Sequence, residues 1–301
     1  QISNFGPLYK SLCNRLIDYL DLVERDITIT TSGHTALMAA YSVLDCKKLV
    51  MPAYTFESTR VAATIQGIET IIVDVDKTSG CLTVEILESI REQWDSVVVV
   101  CALSTIPELS RIDKWCKLYN KKLIIDGAAS FGTKGIYNYG DAFCLSFHAT
   151  KSFPLGEGGA VISRPPTNEA IRSYINFGFD NDRNPIRIGL NGKVSDYSCA
   201  IGHLLLDEID PALEARKRNV ELYRHLGLAE FMLNSTVKDT VYQALPIYLP
   251  NPEIQLIAKD NLNIANVESK QYYKPLAFLP NTKALYETNI CLPCHPDVTE
   301  L

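Results

Sequence analysis

The chain lacks any apolar run near the roughly 18 to 20 residues that a membrane-crossing helix needs, so no membrane span is expected. It also lacks an excess of positive charge. Lys and Arg number 29 against 35 Asp and Glu, a formal net charge of −6, which argues against a surface built to hold nucleic acid. An anionic ligand would therefore need a local basic pocket. The first residues, Gln1-Ile2-Ser3-Asn4-Phe5, lack the basic-then-apolar order of a secretory leader. They also lack a methionine, as a trimmed or processed chain would. Internal repeats and low-complexity segments are missing too.

Nine cysteines without a leader point to free thiols in a reducing compartment, and a cytoplasmic location is expected. Cys101, Cys144 and Cys199 sit in apolar runs, where cysteine behaves as a small hydrophobe. Cys291-Leu292-Pro293-Cys294-His295 matches the spacing of a haem-attachment site, but that chemistry requires export, so the match is read as chance. Zinc is no better supported, because no second Cys or His pair stands at ligand spacing. No metal site is expected.

What is present is an ordinary globular composition: 301 residues, 47% apolar and 21% charged, enough for a large domain and a smaller one. Apolar positions recur at helical intervals over residues 8–22, and an alanine- and leucine-rich helix is expected over 35–44. Strand-like runs fall at 28–30, 49–51, 70–75, 96–102, 123–125 and 142–147. Near-continuous apolar strands alternating with helices predict an α/β fold whose mostly parallel sheet is covered on both faces. Residues 195–226 read as one long helix, with Pro211 a candidate break, linking a large domain (1–206) to a small C-terminal α/β domain (207–301). The latter carries strand-like runs at 241–249 and 276–279 and an amphipathic segment at 252–259.

One segment stands out: Ser146-Phe147-His148-Ala149-Thr150-Lys151-Ser152-Phe153-Pro154-Leu155-Gly156-Glu157-Gly158-Gly159 places a single lysine between a strand and a glycine-rich turn. Upstream, the apolar run 122–125 ends in Asp126, a strand-end position where open α/β sheets carry functional carboxylates. Chemistry based on pyridoxal phosphate needs that pair: a lysine amine to attach to the aldehyde, and an acid to keep the ring nitrogen protonated. Thr31-Ser32-Gly33 before a helix is a favourable phosphate site, since unpaired N–H groups and the helix dipole favour an anion there. A simple N-cap reads equally well at this turn taken alone.

These residues, together with Pro52-Ala53-Tyr54-Thr55-Phe56, Ile125-Asp126-Gly127-Ala128-Ala129-Ser130-Phe131-Gly132 and Gly189-Leu190-Asn191-Gly192-Lys193, resemble the DegT/DnrJ/EryC1/StrS family of nucleotide-sugar aminotransferases. The resemblance runs through most of the chain. It implies the fold type I architecture of aspartate aminotransferase, with a large domain that binds pyridoxal 5′-phosphate. By the same resemblance, Lys151 carries the cofactor and Asp126 faces its ring nitrogen. Phe56 lies over the ring, and Ser32, Gly33 and Ser146 hold the phosphate. His34 stands where the family commonly has a small or hydroxyl residue, and Ala129 where many members have Gln or His. Asn191 matches an asparagine that reaches the phosphate of the neighbouring subunit, which implies a homodimer with shared active sites. His148 is placed beside cofactor or substrate, and Arg187, Lys193, Arg183 and Lys274 are candidates for the diphosphate of the substrate.

Relatives with histidine at the lysine position resemble sugar dehydratases, so Lys151 sides with the transaminases. The Phe-His-Ala-Thr-Lys form resembles enzymes that aminate C4 of 4-keto-6-deoxyhexoses, whereas a Tyr-Pro-Gly-Lys form accompanies C3. The expected reaction transfers the amine of L-glutamate to such a nucleotide-linked sugar, for surface polysaccharide or O-antigen synthesis. Alternatives are a 3-keto sugar aminotransferase, a cofactor-binding homologue with a regulatory or assembly role, and another fold type I chemistry such as an aldolase or desulfurase.

Overall fold

The structure is a computed structural model that describes residues 4–298; residues 1–3, on which part of the leader argument rests, and 299–301 lie outside it. Nine strands are described: β1 (Asp26–Thr30), β2 (Lys48–Pro52), β3 (Glu69–Val73), β4 (Ser96–Val100), β5 (Lys122–Asp126), β6 (Ala142–Ser146), β7 (Gly159–Ser163), β8 (Leu245–Tyr248) and β9 (Asn289–Leu292). The helices are α1 (Pro7–Tyr19), α2 (Gly33–Val43), α3 (Glu57–Thr64), α4 (Val84–Ser89), α5 (Leu109–Leu118), α6 (Pro165–Tyr174), α7 (Asp196–His225), α8 (Pro252–Ile264) and α9 (Pro280–Thr288).

Seven strands form one sheet in the order β1-β7-β6-β5-β4-β2-β3. Strands β2 to β6 pair in parallel, while β7 runs antiparallel to both neighbours, β6 and β1. Every residue of β4, β6 and β7 is buried, as expected for β-branched and apolar strands covered on both faces. The parallel strands all end on one side, and that side is where open α/β sheets bind ligands.

Helix α7 runs 30 residues from the N-cap Ser195 straight through Pro211, so the candidate break does not occur. Its first half packs on α1, so closely that a Cβ on Gly202 would sit 2.6 Å from Leu12 Cδ2. Its second half reaches a separate apolar cluster, where Val220 joins Tyr242, Leu245 and Ile247 with Ile290 and Leu292 of the two-stranded β8–β9 sheet. The larger core extends past residue 206 to Ile209, Leu213, Val241, Leu285 and Cys291, so the two parts share packing.

Three local readings differ. Residues 276–279 form no strand: Pro275 and Pro280 bracket them and withhold N–H groups, and Leu276 N–H makes one bond to Ala53 O (2.9 Å). The 241–249 run is a strand only over β8. Strand β7 begins on Gly159, a glycine that reads as part of a turn.

Candidate active site

The carboxyl ends of the parallel strands bring the sequence-read residues together. Asp126 is the last residue of β5, Ser146 the last of β6, and Lys151 lies in the loop between β6 and β7. Asp126 is 5% exposed and meets no cation by direct contact among the described residues. Its Oδ2 accepts from Thr59 Oγ1 (2.9 Å) and its Oδ1 from Ala128 N–H (3.2 Å). Burial pushes its carboxyl above the ordinary carboxylate range, while the Thr59 hydroxyl, the Ala128 N–H and the charge of Lys151 pull it back. Burial likewise lowers the Lys151 amine, against the attraction of Asp126. Lys151 Nζ donates to Gln243 Oε1 at 2.8 Å.

The phosphate end is a close-packed cradle. Ser32 caps α2, its Oγ accepting from Thr35 N–H at 3.1 Å, which leaves the Gly33 and His34 N–H groups in a first turn that has no acceptor of its own. A Cβ on Gly33 would lie 2.8 Å from Ser146 Cβ, and one on Gly159 would lie 2.5 Å from Gly33 N. Two glycines are thus required for β1, β6, β7 and α2 to converge, and the Ser146 hydroxyl lies beside the helix start. The His34 side chain hydrogen-bonds Ser58 Oγ of α3 through Nδ1 (2.8 Å).

Phe56 caps α3 and is 61% exposed, with Tyr273 edge-on at 6.3 Å. The sequence carried no sign of that aromatic support, nor of Thr59 or Gln243. His148 is exposed, its Nδ1 on Thr150 Oγ1 (3.0 Å) and its Nε2 3.8 Å from Glu157. Asn191 is exposed and accepts from Lys193 Nζ (2.9 Å); its neighbour Gly192 accepts from Thr31 N–H (3.0 Å), so this segment flanks the α2 start. Lys193 sits 4.5 Å over the Phe177 ring and Arg183 5.8 Å over Phe179. Arg187 and Lys274 are exposed, and neither touches the Asp126–Lys151 group by a hydrogen bond among the described residues.

A helix start with N–H groups that have no acceptor in the helix, a buried acid without a cation in direct contact and a lysine amine near enough to feel that acid's charge form a donor set that fits a phosphorylated pyridine aldehyde. A profile of the family described as DegT/DnrJ/EryC1/StrS aminotransferases matches residues 1–300. The chain belongs to that family. It is an aminotransferase, and pyridoxal 5′-phosphate is the cofactor that its site fits. The chain is similar to the dTDP-4-amino-4,6-dideoxy-D-glucose transaminase of Shigella dysenteriae, 27% identical over 327 residues, covering 99% of this chain and 88% of the relative. It is also similar to the UDP-4-amino-4,6-dideoxy-N-acetyl-beta-L-altrosamine transaminase of Campylobacter jejuni, 26% identical over 306 residues, covering 90% and 80%. A DegT/DnrJ/EryC1/StrS aminotransferase from Brucella abortus has the same fold, with a TM-score of 0.89 at 22% identity over 99% of this chain and 88% of its own.

Proposed function

We propose that this aminotransferase moves the amino group of L-glutamate to a nucleotide-linked 4-keto-6-deoxyhexose, giving a 4-amino-4,6-dideoxy sugar nucleotide for surface polysaccharide or O-antigen synthesis. The observation that carries the reading is the Phe147-His148-Ala149-Thr150-Lys151 segment, which ends on a largely buried amine that feels the charge of Asp126. The two relatives named above are 4-amino sugar transaminases, one for a dTDP and one for a UDP sugar, which supports amination at C4.

When bound, the cofactor supplies an electron-accepting ring that makes the Cα proton of an amino acid acidic. Asp126 would hold a proton on the ring nitrogen, and its burial would strengthen that attraction. Lys151 Nζ takes the proton from the Cα of glutamate as general base; its lowered basicity leaves more of the amine neutral for that duty. Ser32, the Gly33 and His34 N–H groups and Ser146 would anchor the phosphate, and Phe56 would cover the ring. Lys193 and Arg183 stand on an aromatic shelf close enough for burial and then the charge of Arg183 to depress Lys193. A sugar diphosphate beside them, with Arg187, would relieve that repulsion.

The active form is a homodimer, with Asn191 completing the site of its neighbour. Supporting this, Tyr197, Ile201 and Leu204 are exposed at one-turn spacings on α7, near in sequence to exposed Ile186 and Ile188. The test is turnover of glutamate with dTDP- or UDP-linked 4-keto-6-deoxyhexose, product NMR, and borohydride reduction of the holoenzyme with peptide mapping. The amine is expected at C4 and the reduced cofactor on Lys151. An amine at C3 refutes the C4 assignment alone; an adduct on Lys122 or Lys193 overturns the site.

A further inference from the structure

Lys151 has one side-chain partner among the described residues, and it comes from far along the chain. Gln243 Oε1 accepts from Lys151 Nζ at 2.8 Å, 92 residues away in sequence. The carboxamide cannot turn freely, because its Nε2 donates to Thr150 Oγ1 (3.3 Å), beside the lysine. Its backbone is anchored on both sides. Gln243 N–H donates to Ser104 Oγ (3.4 Å), whose own hydroxyl donates to Ala129 O (2.7 Å) in the loop after Asp126. Gln243 O accepts from the buried Arg216 of α7 (2.8 Å), which also reaches Tyr242 O (3.4 Å). Three separate elements therefore fix where this amide presents its oxygen, and that oxygen is spent on the lysine.

We infer that Gln243 is a positioning residue for Lys151, docking the amine by its oxygen whenever the amine is not bonded to the cofactor. This rests on the aminotransferase reading and deepens it. A neutral amine has two N–H bonds and one lone pair. With one N–H held by Gln243 Oε1, the amine has fewer orientations open to its lone pair, so less order is lost as it takes the Cα proton. The oxygen also favours the protonated amine and so offsets part of the burial that disfavours charge. Among the described residues, Asp126 is the one charged group whose field acts on Lys151, and it pulls in the same direction.

The test uses the full chain stripped of cofactor. Lys151 is labelled with acetic anhydride across pH and quantified by peptide mass spectrometry, in wild type, Gln243→Ala and Gln243→Glu. Only the neutral amine reacts. Gln243→Ala removes an acceptor that favours the ammonium, so labelling at a fixed pH below the midpoint is expected to quicken about fivefold. Gln243→Glu places a carboxylate there and is expected to slow it by at least as much. A residue that only packs would not move the two variants in opposite directions. In the reconstituted holoenzyme, the single-turnover rate with glutamate is expected to fall about tenfold in Gln243→Ala with glutamate affinity unchanged. Should Gln243→Ala fail to fold, Gln243→Asn keeps the amide but withdraws it by one methylene, and is expected to label faster than wild type. Wild-type labelling in folded variants, or shifts of one sign in both Gln243→Ala and Gln243→Glu, would overturn the inference. A wild-type protein that yields no borohydride adduct on Lys151 fails the aminotransferase reading instead, and the labelling result stands apart from it.

Discussion

Replacing Thr59 by valine tests whether Asp126 is tuned for a cationic ring nitrogen. Thr59 lies on α3, fully buried, with its hydroxyl 2.9 Å from Asp126 Oδ2 and 2.8 Å from Thr55 Oγ1. Valine has the same shape, so Thr59→Val opens no cavity; what is lost is the hydrogen bond to the buried carboxylate, together with the contact to Thr55 Oγ1. Such bonds contribute about 1.5 to 3 kcal/mol, an expected fall in cofactor affinity of roughly tenfold to a hundredfold. The sign with pH follows from the same contact. Burial raises the Asp126 carboxyl and the Thr59 hydroxyl lowers it, so removing the hydroxyl moves protonation to higher pH. Cofactor binding needs the carboxylate, so its loss on acidification should set in earlier in the variant. The assay is fluorescence titration with pyridoxal phosphate from pH 5 to 8, repeated in an Asp126→Asn background. If Thr59 acts through Asp126, its substitution costs far less there. Affinity within twofold of wild type, or an undiminished loss in the Asp126→Asn background, would refute the reasoning.

Further outcomes can be checked on the same preparations. Gly33→Ala drives a Cβ to within 2.8 Å of Ser146 Cβ, so phosphate affinity is expected to fall at least tenfold; a wild-type titration would show that the cradle tolerates the methyl. Lys193→Ala or Arg187→Ala is expected to raise the KM for the sugar nucleotide about tenfold to a hundredfold and leave the glutamate half-reaction unchanged, as steady-state and single-turnover kinetics will show. Mixing a Lys151→Ala chain with an Asn191→Ala chain is expected to restore part of the activity, since one of the two sites in a heterodimer keeps both residues. No recovery after demonstrated subunit exchange would count against a shared site.

Much of the candidate site was readable because its parts are short and local. Asp126 closes an apolar strand, Lys151 follows another within five residues of Ser146, and Ser32-Gly33 opens a helix; each is a strand end followed by a turn, and the parallel sheet does the assembling. The seven-stranded sheet was legible for the same reason, except β7. Its leading glycine looks like punctuation, yet it is there because any side chain would strike the Ser32–Gly33 peptide. The supposed strand at 276–279 failed in the other direction, since the prolines at 275 and 280 cut an apolar run too short to extend a ladder past it.

Gln243 and Thr59 escaped for a different reason: they meet their partners across 92 and 67 residues, and neither residue type marks itself as special. Their role becomes visible only when the electrostatics is followed. Asp126 and Lys151 are each pushed toward neutrality by burial, and neither is near enough to neutralise the other by direct contact. An uncompensated buried charge is costly, so neutral donors and acceptors have to hold each group. The Thr59 hydroxyl does this for the acid and the Gln243 carboxamide for the amine. Both can be satisfied without a salt bridge that would tie Lys151 to Asp126, and a lysine so tied would not be free to serve the cofactor. The geometry keeps the two charges out of direct contact, each on a short polar tether supplied by a different part of the chain.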